Sequence, residues 1–455
     1  MTIESVNPFN GEIVRSYQTH SNEQVYEMIN QTHAAWLNWR NTSFSERGIY
    51  LRKVAGILRR RRSELATLMA IEMGKNLKGG LAEIDKCADS CDYFAANAEA
   101  ALKEEFIKTD AAKSYVSFRP IGVILAIMPW NFPFWQVFRF LGPALMVGNC
   151  GVLKHASNVF GCAVEIENII KEAGFPQHVF QTLLIGSASV DAVIEHPFIQ
   201  AVTLTGSVAA GKKVAQKAGA LIKKSVLELG GSDPYIILHD ADLELAAETC
   251  TNSRLINSGQ SCISAKRLIV VEAVADRFLE LLTKKMSAKI MGDPLDPGSD
   301  LGPQARIDLR DELHKQVTES IKKGATCILG GTIPGGNNAL YPPTILTGVK
   351  KGMPAYDDEL FGPAAAVIVA KDEEDAIAIA NDSIFGLGAA VFTKDVQRGE
   401  RIAADRLEAG ACFVNSSVKS DASLPFGGIR QSGYGRELGV YGFKELVNIK
   451  TVYVK

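Results

Sequence analysis

The sequence predicts an α/β protein built from two doubly wound halves with a small β extension. Three observations predict it. Apolar, β-branched runs alternate with helical segments from about residue 122 to 219, the layout of a parallel sheet covered by helices. A second alternating half begins at Asp233-Pro234 and runs to about Asn415. Outside both, residues 106–119 and 446–454 have strand character without helical partners.

Taken in order, residues 22–40, 45–76 and about 79–103 read as helices from apolar residues at three- and four-residue spacing. The basic run Arg59–Arg62 in the second of these reads as a solvated helix face. Cys87 and Cys91, one turn apart in the third, read as packing residues. Phe106 to Arg119 follows as a projecting hairpin. Strands are expected at 122–128, 151–154, 180–184 and 201–205, with helices at 134–147, 158–174, 188–196 and 208–219. In the second half, Asp242 is placed to cap a helix from Leu243 to about Ile256, and Leu268–Val271 reads as a buried strand. Helices near 273–291 and 306–323 follow, then a Gly/Pro/Asn-rich loop at 330–343. The alternating terminus Leu446–Val454 is a strand available to the 106–119 hairpin or to another subunit.

Composition narrows the function classes. A chain of 455 residues exceeds one simple core, and 47% hydrophobic with 22% charged residues is ordinary for a globular protein. A formal net charge of -2 gives no electrostatic case for nucleic acid or an anionic membrane surface. Met1–Pro8 lacks a basic region followed by an apolar core, and the apolar run Ile121–Met128 is too short to span a bilayer. Eight cysteines without a CxxC pair, and seven histidines without HExxH spacing, point to neither a disulfide framework nor a metal site. The reducing cytoplasm is the expected compartment.

Several stretches carry chemistry. Cys262 lies in the small-residue loop Asn257-Ser258-Gly259-Gln260-Ser261-Cys262 between a helix and a strand, where a thiol can face a cleft and attack a carbonyl carbon. Glu228 stands among apolar neighbours before Gly230-Gly231, where desolvation raises a carboxyl pKa toward that of a general base. Asn131, in the rigid turn Pro129-Trp130-Asn131-Phe132-Pro133, is the polar side chain available to a developing oxyanion. Thr205-Gly206-Ser207 follows a strand and opens a helix, a setting for pyrophosphate. Residues 206–213 read GxxxxGKK, but Lys213 stands where a P-loop needs Ser or Thr, so nucleotide hydrolysis is not expected. No GxGxxG follows a strand.

Together with Glu359-Leu360-Phe361-Gly362-Pro363 and Pro425-Phe426-Gly427-Gly428 through Ser432-Gly433-Tyr434-Gly435-Arg436-Glu437, these motifs stand in an order that resembles the aldehyde dehydrogenase superfamily over nearly the whole chain. The resemblance implies an NAD(P)-binding domain from 1–103 and 121–231, a catalytic domain over 232–435, and a bridging, oligomerisation element from 104–120 and 436–455. It makes Cys262 the nucleophile that forms a thiohemiacetal and then a thioester, Asn131 an oxyanion donor, and Glu228 the group that activates the hydrolytic water. The expected cofactor, NAD or NADP, would be held by Trp130, Lys154, Ser157, Thr205, Gly206, Ser207, Glu359 and Phe361. No metal is implied, and a homodimer or homotetramer is.

Two positions depart from the commoner pattern. Ser157 stands where many NAD-preferring relatives carry a Glu, which removes repulsion against a 2′-phosphate and leaves Lys154 free to pair with one. Ser232 replaces the usual Lys after Gly-Gly. The chain is most similar to the succinate-semialdehyde branch, in which an Arg at the position of Arg139 meets the substrate's remote carboxylate; Arg254 is a second candidate. The expected substrate is thus a small ω-carboxylated aldehyde. A broad-specificity aldehyde dehydrogenase, a cysteine hydrolase without hydride transfer and a non-catalytic, dehydrogenase-derived binding protein are the competing readings.

Overall fold

A computed structural model describes residues 2–455. Its first large sheet has six strands in the spatial order Gly433–Tyr434, Lys224–Glu228, Ile199–Thr205, Val123–Met128, Cys150–His155, Phe180–Thr182. All neighbours are parallel except the first pair, in which Gly433 lies opposite Glu228. The chain begins this sheet at its centre, winds outward through 150–155 and 180–182, and returns to the other side with 199–205. Order therefore reverses between Val123–Met128 and Ile199–Thr205, and a crevice opens at the carboxyl ends of those two strands. Alternate residues of Val123–Met128 pack into different cores, Val123 and Leu125 on one face, Ile124, Ala126 and Met128 on the other. Burial on both faces explains why this strand is continuously apolar.

The second sheet has seven strands in the order Thr326–Leu329, Thr344–Thr347, Ala364–Ala370, Arg267–Val271, Pro234–Ile237, Gly388–Phe392, Ala411–Val414. Only the first pair is antiparallel. Its two faces alternate likewise, with Ile236 and Ile269 in one core and Tyr235, Ile237, Leu268 and Val270 in another. A third, antiparallel sheet joins Val447–Val454, Lys113–Pro120 and Glu105–Phe106. The terminal strand pairs with the 113–120 strand along its whole length, from Val447 opposite Pro120 to Val454 opposite Lys113.

The helix Leu243–Leu255 starts at Asp242, whose side chain accepts from the Leu245 N–H at 3.1 Å, as the sequence indicates. Three features differ from the sequence reading. The helix expected over 45–76 is two, Phe44–Arg60 and Arg62–Met73, broken at Arg61 (φ −93°, ψ 12°). At the break the Arg61 guanidinium meets Glu64 and, from the neighbouring helix, Glu165, each at 2.5 Å. The rest of the basic run is also paired, Arg59 with Asp89 and Asp92, Arg60 with Glu172 and Arg62 with Asp85, so it ties these two helices to Leu77–Ala101 and Phe160–Glu172 at their wet edge. An N-terminal hairpin, Thr2–Val6 with Ile13–Gln18, has little apolar alternation and was not legible as strand. Finally, Gly433–Tyr434, which the sequence groups with the second half, hydrogen-bonds into the first sheet; a two-residue strand carries no periodicity to read.

Candidate active site

The site lies where the carboxyl ends of the first sheet face the amino ends of the second. Asn131 follows the strand Val123–Met128, Gly206 and Ser207 follow Ile199–Thr205, and Glu228 ends Lys224–Glu228. Cys262 precedes Arg267–Val271, and Glu359 and Phe361 precede Ala364–Ala370.

The Cys262 loop is held in an uncommon conformation. Asn257, Ser258 and Gly259 have φ of 51°, 54° and 77°, a left-handed run that non-glycine residues enter only when surroundings enforce it. Hydrogen bonds enforce it here. Ser258 Oγ donates to the Gly302 carbonyl at 2.9 Å, and Gln304 Nε2 donates to the Ser258 carbonyl at 3.1 Å. Arg254 Nη2 donates to the Gly259 carbonyl at 2.6 Å, and Lys266 Nζ donates to the carbonyls of Ser261 and Cys262 at 2.8 and 2.6 Å. At Gly259 a Cβ would stand 2.1 Å from the Gly362 carbonyl carbon, so only glycine permits this approach of the two loops.

The turn after Met128 is fastened to the same loop. Asn131 Nδ2 donates to the Gln260 carbonyl at 3.1 Å, and Asn257 Nδ2 donates to the Asn131 carbonyl at 2.7 Å. An amide nitrogen has two N–H groups, so Asn131 keeps one for a ligand. The backbone N–H of Cys262 is engaged by no protein acceptor among the described residues.

Cys262 is the residue shared by the walls of two cavities. One, of about 290 Å³, is bordered by Trp130, Asn131, Thr205, Gly206, Ser207 and Phe361 among others. Trp130 and Phe361 meet edge to face, with centroids 5.7 Å apart. Glu359 reaches the same space over Gly230, where a Cβ would stand 2.3 Å from its Oε2; its Oε1 accepts from the Gly231 N–H at 3.2 Å and pairs with Lys266 Nζ at 3.3 Å. Ser207 Oγ caps the helix Val208–Ala220, accepting from the Ala210 N–H at 3.3 Å, while Thr205 Oγ1 accepts from Arg139 Nη2 at 3.1 Å. Lys154 and Ser157 do not border this cavity. They lie beside it, at the end of the adjacent strand Cys150–His155 and on the turn that follows. Lys154 is largely buried and has no carboxylate within 4.0 Å, so burial holds its pKa below the usual lysine value. An uncompensated, largely buried ammonium near the carboxyl end of a sheet strand fits a phosphate-bearing cofactor. Ser232 is buried, its hydroxyl donating to the Asp358 carbonyl at 3.4 Å.

The second cavity, about 340 Å³, has largely apolar walls that include Phe132, Trp135, Ile263 and Phe426, and it also meets Arg139. Arg139 is committed within the protein: its Nε pairs with the Glu437 carboxylate and its guanidinium carbon lies 5.0 Å from the Phe426 ring centre. Arg254 borders neither cavity. Eight residues before Cys262 spans the end of a helix and the left-handed turn, which leaves its guanidinium beneath the loop, bonded to the Gly259 carbonyl.

Two titrating groups lie here, Cys262 and the buried Glu228, the latter bordering neither cavity. Burial pushes the Glu228 carboxyl from 4.5 up to about 8, against the pull of the Arg139 charge, and no side chain donates to either oxygen. Burial also pushes the Cys262 thiol up to about 12, with Lys266 and Arg139 drawing it back and the Glu359 and Glu228 charges raising it further. The Glu228 charge is felt at the thiol, so the protonation of one bears on that of the other. Sequence reasoning missed Lys266 and Glu437. Lys266, four residues past Cys262, offered a signal in its spacing; the Arg139–Glu437 pairing offered none.

Residues 1–452 match the model of the aldehyde dehydrogenase family. The chain is 47% identical over 454 residues to the probable succinate-semialdehyde dehydrogenase [NADP(+)] of Synechocystis sp., covering 100% of both chains. It is 43% identical over 457 residues to succinate-semialdehyde dehydrogenase [NADP(+)] 1 of Mycobacterium tuberculosis, again over 100% of both. The crystal structure of succinic semialdehyde dehydrogenase from Streptococcus pyogenes in complex with NADP+ superimposes with a TM-score of 0.97 at 37% identity, covering 99% of each chain.

Proposed function

The chain belongs to the aldehyde dehydrogenase family, and from that premise we propose that it oxidises succinate semialdehyde, or a close ω-carboxylated aldehyde, to the acid with NADP or NAD. One observation carries the reading: Cys262 alone is shared between a cavity bordered by the cofactor candidates and a second, apolar one. A thiol so placed reaches an aldehyde from one side and a hydride acceptor from the other.

The steps follow from the residues. Glu228 takes the Cys262 proton, and the thiolate adds to the aldehyde carbon to give a thiohemiacetal. The free N–H of Asn131 and the backbone N–H of Cys262 receive the oxyanion. The chemistry a nicotinamide would supply when bound is acceptance of the hydride that the thiohemiacetal carbon loses on becoming a thioester. Once that first proton has passed to solvent, Glu228 removes one from water, the hydroxide attacks the thioester carbon, and the Cys262 thiolate leaves and is reprotonated by Glu228. Trp130 and Phe361 would wall the ring pocket, Glu359 would take the nicotinamide ribose, and Thr205, Gly206 and Ser207 would hold the phosphates. Lys154, with Ser157 in place of a carboxylate, accommodates a 2′-phosphate, in keeping with the NADP(+) specificity named for the cyanobacterial and mycobacterial relatives. Arg139 borders the substrate cavity with its charge already met by Glu437.

The same reading makes 1–103 with 121–231 the cofactor-binding domain, 232–435 the catalytic domain, and 104–120 with 436–455 the element that meets another subunit in a homodimer or homotetramer. The free edge of Val447–Val454 with its exposed Tyr453, the exposed Tyr441 just before it, and the exposed Phe106 on the sheet's opposite edge strand support that last assignment. The structure contains no helix long and apolar enough to cross a membrane among the described residues.

The test is formation of reduced cofactor with succinate semialdehyde, butanal and acetaldehyde, each with NAD and with NADP, in the parent and in Cys262→Ala. Selective turnover of succinate semialdehyde that is lost in Cys262→Ala is expected. Equal turnover of the three aldehydes removes the substrate assignment, and no turnover with any pair removes the enzymatic one.

A further inference from the structure

The apolar cavity that ends on Cys262 is met by four cations, and they differ in how their charge is compensated. Lys75 is buried and paired with Glu83, whose other oxygen accepts from the Phe134 and Trp135 N–H groups at 2.9 and 3.0 Å. Arg139 is paired with Glu437 and further bonded to Thr205. Lys419 is exposed to solvent. Lys86 is different, since no carboxylate lies within 4.0 Å of its ammonium among the described residues. Its Nζ donates to Ser420 Oγ at 2.8 Å and stands 4.1 Å from the centre of the Trp135 ring.

Such a cation is held in place but not neutralised. The aromatic face and the hydroxyl fix the ammonium against one wall, and two of its three N–H groups remain for a further acceptor. Burial is the largest influence on Lys86 and the Arg139 charge the next, both lowering its pKa, to about 8; Cys87, Glu83 and Asp421 oppose them. A positive charge kept in an apolar cavity at a cost in desolvation gains most when an anion enters beside it. Arg139, by contrast, brings its own counter-ion.

We propose that Lys86, steadied by Ser420 and Trp135, binds the remote anionic group of the aldehyde in the Cys262 cavity and is the residue that sets selectivity for carboxylated over neutral aldehydes. The proposal rests on the assignment of an ω-carboxylated aldehyde to this site, and assigns to Lys86 a direct ion pair with that carboxylate. Ser420 and Trp135 act through Lys86 as positioning residues.

The experiment measures the ratio of kcat/KM for succinate semialdehyde to that for butanal, with NADP, in the parent, Lys86→Gln and Lys86→Arg. A parent ratio well above one is expected, falling about 10- to 100-fold in Lys86→Gln, chiefly through the KM of the anionic substrate, and recovering in part in Lys86→Arg. A parent ratio near one would overturn the substrate assignment and this inference with it. A high parent ratio that survives in Lys86→Gln overturns the role of Lys86 and leaves the substrate assignment standing. Equal loss of both substrates in Lys86→Gln and Lys86→Arg makes the residue structural and also overturns the proposal.

Discussion

Arg139 and Glu437, 298 residues apart in the chain, form an ion pair whose side chains are only 2% and 7% exposed. Arg139 leaves the first helix after the Asn131 turn, and Glu437 comes from the segment after the Gly433–Tyr434 strand. The pair stands close enough to Glu228 for both charges to act on it, Arg139 lowering and Glu437 raising its pKa. The carboxyl-terminal segment thereby contributes a charge to the site that the first sheet and the Cys262 loop frame.

Removing one member of a buried pair strands the other. Glu437→Ala leaves the Arg139 guanidinium without a carboxylate and is expected to destabilise the fold by about 3–5 kcal/mol, read as a lower urea midpoint. A midpoint within error of the parent would show that Arg139 finds solvent or another acceptor.

Glu228 sets a pH dependence whose sign follows from burial. Its pKa of about 8 means that the base form grows as pH rises toward that value, so turnover should climb through about pH 8 and then level. Glu228→Gln should lose steady-state turnover and also slow the first burst of reduced cofactor, because the same carboxylate accepts the Cys262 proton. Stability runs the other way. The folded carboxyl keeps its proton up to about 8 and the unfolded one only to 4.5, so this group's contribution is present at low pH and lost between those values as pH rises. Glu228→Gln should flatten that part of the stability profile.

With its thiol pushed up to about 12, Cys262 in the free protein is protonated at neutral pH. Its alkylation by iodoacetamide should accelerate about tenfold per pH unit, because the thiolate fraction does so below the pKa. A rate that is flat above neutral pH would instead mean a thiolate already formed.

Ser157 lies on the turn after the strand that ends with Lys154 and His155. Ser157→Glu brings a carboxylate against a 2′-phosphate and next to the unpaired Lys154. It should raise the KM for NADP about 10- to 100-fold relative to that for NAD. Unchanged relative KM values would place the 2′-phosphate elsewhere.

Much of the fold was legible because it depends on local burial. Val123–Met128 is apolar throughout since both its faces are covered, and the helix from Leu243 begins at an Asp whose side chain caps it. Arg61 was less legible: its helix break coincides with an ion pair to Glu165, about a hundred residues away, and helical periodicity does not register such a partner. The N-terminal hairpin and the Gly433–Tyr434 strand escaped notice because short strands with polar faces carry no alternation.

By itself, the sequence determined the order of α/β units, the chemical kinds of residue available and the loops that carry them, since periodicity and turn chemistry are local properties of a chain. Tertiary structure decided which of those loops meet. It set Asn131 against Gln260, placed Cys262 between two cavities, turned Arg254 beneath its loop, and neutralised Arg139 while leaving Lys86 without a counter-ion. The physical reason is that charge compensation and desolvation depend on distance in space, and residues hundreds of positions apart acquire that distance only when the two sheets face each other.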